Sequence, residues 1–326
     1  MLALGACSSG LGGDKGEAQA DRPGDERQGW KAADDMRRSR GGRNAVDVQV
    51  LSPFGAEVDI DLRVRPAEQD AALQRLFRQH HLLVFRGQAL TAEEQLEFMA
   101  LFGRPLRSAI DGVGYITNED VPENVLGNSE LAFHSDLSFS PQPFDAISLQ
   151  AVQVADGRST TRFVDGARAY RRLPPDLQDR IGNLHTLQVF GGPNLGGRNG
   201  ADVAEHLPSH VHPVVMRHPQ TAEEFLYVCY NQTARIVELD ENESDALIGE
   251  LFDHLYAPAE IYEHAWHNGD LVVWDNLAIQ HARGATGDVG VRRLQRAVAA
   301  EAGFFEQYPA FREASLSGAP AVPSGA

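Results

Sequence analysis

Three side chains able to hold a metal stand out: His134 and Asp136 in the run Phe133-His134-Ser135-Asp136, and His281 at the end of the run from Trp274. His281 lies 147 positions after His134 (281 minus 134). Two imidazoles and one carboxylate are the donor set of a facial non-haem Fe(II) site, which leaves coordination positions open for reagents. Arg292 follows His281 by eleven positions (292 minus 281), and Arg296 comes four later. A guanidinium grips a carboxylate with two parallel hydrogen bonds, so an arginine just past the last ligand suits a second, carboxylate-bearing reagent.

The elements that position these groups follow from side-chain alternation. In a strand, residues i and i+2 face one way, so His134 and Asp136 can point together into the mouth of a barrel. His281 then has to come from a distant strand. A strand through Val291 to Val298 puts Arg292 and Arg296 on one face, both pointing inward. A charge inside a barrel is costly unless paired, and a bound dicarboxylate would pair it. The plain alternative is an edge strand with solvated arginines. Zinc is the competing metal, but zinc hydrolases commonly carry a helical His-Glu-x-x-His, which this sequence lacks. His-x-Asp alone occurs by chance, and twelve histidines offer many pairings. The ligand types, their separation and the trailing arginines together carry the argument. His80, His81, His264 and His267 read as surface or structural residues.

Short β-like runs dominate after residue 130: Ala146–Val154, Thr161–Val164, Leu187–Phe190, Val211–Met216, Phe225–Val228, Leu271–Trp274 and Leu294–Val298. Before them, Val48 to Leu51, Ala56 to Ile60 and His81 to Phe85 read as strands. Helices are expected over 71–79 and after Thr91, where Thr91 and Glu94 make a capping box and Leu96, Met99 and Phe102 line one face as far as Gly103. Two more are expected over 167–172 and over 245–255, the last capped by Ser244. Many short strands with a few helices on one side predict a mainly β fold with flanking helices, a jelly roll or double-stranded β-helix. A doubly wound sheet fits worse, because strands and long helices do not alternate and no Gly-rich phosphate loop occurs.

Residues 1–45 are rich in Gly, Ala, Ser, Asp and Arg without apolar periodicity and read as a disordered extension; 315–326 reads as a tail. One domain is expected over 46–314. A net charge of −17 argues against nonspecific nucleic-acid binding and against docking on an anionic membrane. No apolar stretch is long enough for a transmembrane helix. Two cysteines, Cys7 and Cys229, give no disulfide framework, and a cytoplasmic location is expected. Association into a homo-oligomer is left open.

The chain resembles the taurine dioxygenase (TauD/TfdA-like) family of Fe(II)- and 2-oxoglutarate-dependent oxygenases. The likeness spans about 46 to 305. It rests on Gly55 to Val58, His81 to Gln88, Phe102-Gly103, Phe133 to Phe139, His212 to Val214 and His218-Pro219. It continues through Trp274-Asp275-Asn276, Gln280 to Arg283 and the Arg292/Arg296 pair. The resemblance implies that His134, Asp136 and His281 bind iron and that Arg292 holds the distal carboxylate of 2-oxoglutarate. It places Thr161 beside Arg292, with Thr160 as the alternative. Arg296 would lie near the cosubstrate's other carboxylate or the substrate's acidic group, and His212-Pro213 and Trp274 to Asn276 would be structural.

Fe(II), 2-oxoglutarate and O2 are the implied cofactors, with succinate and CO2 released. The implied reaction is oxidation, by default hydroxylation, of a small acidic or amino-acid-like molecule. A catalytically silent metal-binding roll and a zinc hydrolase are the alternatives. The family's Gly-Gly-Asp-Thr loop reads here as Gly157 to Thr161, and nothing matches a taurine sulfonate site. Asp136 is present, which speaks against a halogenase. Arg107 to Glu130 is expected to fold over the pocket, with Tyr115, Asn118 and Asn128 as candidate substrate contacts.

Overall fold

The run Leu82–Phe85 shows how the fold is built. All four side chains are fully buried, but Leu82 and Val84 enter one core and Leu83 and Phe85 another. A strand covered on both faces reads as an unbroken apolar run, not as an alternating one. The computed structural model describes residues 46–107, 113–119, 128–190 and 207–311. The extensions expected at 1–45 and 315–326 and parts of the loop after Arg107 lie outside these residues.

Seven strands form the larger sheet, in the order Asp47–Val50, Ala56–Asp59, Leu82–Phe85, Leu271–Asp275, Ala146–Val154, Arg292–Ala299 and Gly114–Thr117. A four-stranded sheet faces it, in the order Tyr262–Ala265, Thr160–Asp165, Ile279–Arg283 and Leu131–His134. Ile147, Leu149, Val272, Trp274, Leu294 and Val298 of the larger sheet meet Phe163 and Ile279 of the smaller in one inner core. Two facing, mostly antiparallel sheets around one core are the expected double-stranded β-helix.

Helices cover the outer face of each sheet, not one side alone. Ala67–His80 and Ala92–Met99 pack Leu73, Phe77, Leu96, Phe98 and Met99 on Leu83, Phe85, Leu271 and Val273. Gly166–Arg172, Pro175–Ile181 and Glu241–Leu255 pack on Phe133, Val164 and Ala282 of the smaller sheet. Among the described residues, no helix is long and apolar enough to cross a membrane.

Several boundaries differ from expectation. The helix expected from 245 begins at Glu241, and its cap is Asp240, which accepts from the Glu243 N–H at 2.9 Å. Ser244 lies inside it and accepts the Ile236 N–H at 2.8 Å. The first helical turn is polar and therefore carries no apolar period. The expected strand 211–216 is two strands, Ser209–Pro213 and Val215–Arg217, in different sheets. Pro213 has no N–H to continue a ladder, and Val214 bonds instead to Leu184 and Tyr227. The capping box at Thr91 and Glu94 forms as expected, but the helix ends at Met99 and Phe102 packs from beyond it.

Candidate active site

His134 and His281 face each other directly across neighbouring antiparallel strands, with ring centroids 4.3 Å apart. This pairing across the smaller sheet cancels their separation in sequence. His281 shares the inner face with Ile279, while Ala282 joins the outer core. The His134 Nδ1–H donates to the Ala132 carbonyl at 2.8 Å, which leaves the Nε2 lone pair free. Trp274 packs on the His281 ring at 4.9 Å. Burial, then His134 and Arg296, push His281 down to about 3 against the opposing pull of Asp136, so the ring is neutral and able to ligate at ordinary pH.

Asp136 departs from the strand expectation. The strand stops at His134, and Asp136 sits in the following turn, just before Leu137 in the left-handed region at φ 58°. Its place is fixed by Asn276, which accepts the Asp136 N–H at 2.9 Å and donates to the Asp136 carbonyl at 2.9 Å. Asp136 Oδ1 then lies 3.3 Å from His134 Nε2 and 3.9 Å from His281 Nε2. Adjacent ligands of an octahedron with bonds of about 2.1 Å lie about 3 Å apart, so the set fits a single ion after a small contraction. Among the described residues this is the one group of His, Cys, Asp or Glu whose ligand atoms converge, all within 4.8 Å of one another. Burial alone would raise the Asp136 carboxyl, but the Arg296 guanidinium beside it outweighs burial and holds the group well below the usual range.

The arginines lie on the inner face as alternation requires. Leu294 and Val298, of the same parity, enter the inner core, while Ala297 and Ala299 face the helices. A bulge on the neighbouring strand skips Val152, so Val154 pairs with Arg292 and joins Ala151 and Leu149 inside. Arg292 is 2% exposed, and its Nε and Nη1 have no hydrogen-bond partner among the described residues. Burial, then Arg283, push it down to about 9. An uncompensated buried guanidinium is a site waiting for an anion. Arg296 donates from Nη2 to Asp136 Oδ2 at 2.6 Å and lies over the Phe144 ring at 5.5 Å.

Thr161 shares the face of Phe163 and is buried; its Oγ1 accepts the Trp266 indole N–H at 2.9 Å, leaving its own hydrogen to donate. Thr160, of opposite parity, does not share that face. Arg283, two residues past His281 on the inner face, donates to Thr286 Oγ1 at 2.9 Å. Nothing in a lone Arg after the ligand signals that placement.

The three loop candidates are engaged by the scaffold. Asn118 donates to the Thr286 and Gly290 carbonyls at 2.7 Å each and accepts the Arg292 N–H. Asn128 donates to the Asn118 carbonyl, and Tyr115 lies under Arg293 at 4.2 Å.

Comparison with known proteins agrees with this geometry. Residues 47–298 match the family described as taurine catabolism dioxygenase TauD, TfdA family. The chain belongs to this family. An alpha-ketoglutarate-dependent 2,4-dichlorophenoxyacetate dioxygenase of Cupriavidus pinatubonensis is 30% identical over 75% of the chain and 93% of that protein. Pentalenolactone F synthase of Streptomyces arenae is 31% identical over 67% of the chain and 81% of that protein. Among solved structures, AAD-2 in complex with Mn(II) and N-oxalylglycine superposes with a TM-score of 0.67 at 25% identity, covering 81% of the chain and 98% of its own. This TauD/TfdA family member is thus an Fe(II)- and 2-oxoglutarate-dependent dioxygenase that acts on a small molecule. Neither the silent roll nor the zinc hydrolase finds support in these relatives.

Proposed function

We propose that His134, Asp136 and His281 bind the Fe(II), that Arg292 and Thr161 hold the distal carboxylate of 2-oxoglutarate, and that the substrate is a small organic acid. One observation carries the assignment: a buried guanidinium whose Nε and Nη1 have no partner among the described residues lies on the inner face that also carries His281 of the converging ligand set. An anionic chelator that reaches both would satisfy them together. AAD-2 was solved with N-oxalylglycine, a carboxylate-bearing mimic of that kind.

When bound, iron and 2-oxoglutarate supply the oxidising chemistry, consuming O2 and releasing succinate and CO2. The protein's residues do the rest. His134, His281 and the ionised Asp136 would each offer one donor atom to the metal. Arg292 orients the cosubstrate by its far end, and Thr161 adds one hydroxyl donor. Arg296 holds Asp136 and keeps further N–H groups for an anion beside the metal. Arg292 and Thr161, each 2% exposed, keep the carboxylate end of the site away from water, while the ligands stay partly open to it.

The acidic substrate is supported by Arg296 and by relatives named for 2,4-dichlorophenoxyacetate and (S)-phenoxypropionate, both carboxylates. Hydroxylation is the default outcome; an amino-acid-like acid belongs to the same class. We take 46–314 as the catalytic domain and the cytoplasm as its compartment, which a net charge of −17 and an unpaired Cys229 suit. The same charge disfavours nucleic-acid and membrane partners.

Anaerobic addition of Fe(II) and 2-oxoglutarate tests the reading. The weak visible charge-transfer band should appear in the wild type and be lost in Asp136→Ala. A panel of small carboxylates should then stimulate succinate release. A band of wild-type strength in Asp136→Ala would overturn the ligand assignment.

A further inference from the structure

Asn276 is 0% exposed, and its side-chain amide makes three hydrogen bonds to the two ends of the loop from Asp136 to Phe144. Its Oδ1 accepts the Asp136 N–H at 2.9 Å; its Nδ2 donates to the Asp136 carbonyl at 2.9 Å and to the Phe144 carbonyl at 3.0 Å. The Asn276 N–H donates to the Asp145 carbonyl at 3.0 Å. Asp136 lies beyond the end of its strand, so no ladder fixes its backbone. This one amide takes the ladder's place.

The neighbouring residue serves the second ligand. Asp275 Oδ1 accepts the Leu277 and Ala278 N–H groups at 3.0 and 3.2 Å, and Oδ2 meets His218 Nε2 at 2.8 Å. These bonds shape the turn that leads into Ile279–Arg283, the strand carrying His281. Two adjacent residues therefore set the approach of a carboxylate and an imidazole that are 145 positions apart (281 minus 136).

We propose that Asn276 is a positioning residue for the metal centre: by clamping the peptide groups of Asp136 it holds the carboxylate at ligating distance from the two histidines. The proposal rests on the reading of His134, Asp136 and His281 as the ligand set. Replacement with alanine leaves one donor and two acceptors unpaired; replacement with aspartate keeps the shape but sets a carboxylate against two carbonyl oxygens. Groups that orient metal ligands typically cost 10- to 100-fold in affinity when lost.

The test uses the full-length chain with Co(II) as the probe. Affinity and the visible ligand-field spectrum are read without turnover, alongside the melting temperature of the metal-free protein. Asn276→Ala and Asn276→Asp should weaken Co(II) binding about 10- to 100-fold and alter the band. Gln95→Ala is the control. Gln95 is equally buried, bonded to Ser148 and Gln295 between a covering helix and the larger sheet. It should lower the melting temperature with affinity and spectrum unchanged. Where Asn276→Ala does not fold, the near-isosteric Asn276→Asp carries the comparison. Wild-type affinity and spectrum in the Asn276 variants, or an equal loss in Gln95→Ala, would overturn the proposal. A wild-type chain without any Co(II) band would overturn the ligand set itself, and the proposal with it.

Discussion

Arg296 and Asp136 meet through a 2.6 Å charge-assisted hydrogen bond that occupies Oδ2 and leaves Oδ1 facing both imidazoles. The carboxylate is thereby a one-atom donor with a fixed rotation. Arg296→Ala frees that rotation and removes the largest influence holding Asp136 ionised. Metal affinity should fall about 10-fold or more. The acid limit of metal binding should also move to higher pH. Competition with a chelating dye across a pH series measures both, and an unchanged profile would show that Arg296 does not orient the ligand.

Arg292 should show function and stability pulling apart. Its buried charge is unmatched until an anion arrives, so an apolar side chain of similar length relieves the fold while emptying the site. Arg292→Met should leave the melting temperature of the metal-free protein unchanged or higher. The 2-oxoglutarate requirement should rise about 100-fold, in line with about 3 kcal/mol for a lost charge-assisted contact. Thermal shift and succinate assays decide it; a lower melting temperature with normal cosubstrate use would sink the assignment.

The two adjacent threonines can be separated by parity. Thr161 faces inward with a hydroxyl hydrogen to spare, and Thr160 does not share that face. Thr161→Val should raise the 2-oxoglutarate KM several-fold with kcat less affected, and Thr160→Val should change neither. The reverse order would exchange the roles.

Asp145 carries a pH dependence away from the ligands. Burial, then Asp275 and Glu301, raise its carboxyl to about 6 against the pull of His218. An unfolded Asp titrates near 3.9. Between about 4 and 6 the folded chain therefore binds more protons than the unfolded one, and stability falls as pH rises through that window. Asp145→Asn should raise the melting temperature by a few degrees at pH 8 and hardly at all at pH 4. Equal gains at both values would rule out titration as the cause.

Much of the site was legible because its chemistry is written in residue types. His134, Asp136, His281, Arg292 and Arg296 are named by kind and spacing, and the strand Arg292–Ala299 obeys simple alternation. The expectation that His134 and Asp136 share a strand face was not met. The strand ends at His134 opposite His281 although its partner runs on to Ile279, because the backbone of Asp136 is bonded to the Asn276 amide instead of the ladder. The strands Gly114–Thr117, Thr233–Ile236 and Tyr262–Ala265 were likewise not foreseen, because mixed polar and apolar residues in so short a run give no clear period.

The chemistry of the donors and the class of fold were fixed by the order of residues alone, since ligand type, charge and apolar runs are properties of the chain. The convergence of the donors was decided only in three dimensions. The His134–His281 pairing needs two strands to meet in one register. The seat of Asp136 needs an amide from 140 positions away, and the burial that leaves Arg292 Nε and Nη1 without a partner among the described residues needs strands from distant parts of the chain. Contacts between distant segments depend on how sheets stack and turns close, and no local pattern of residues encodes that distance.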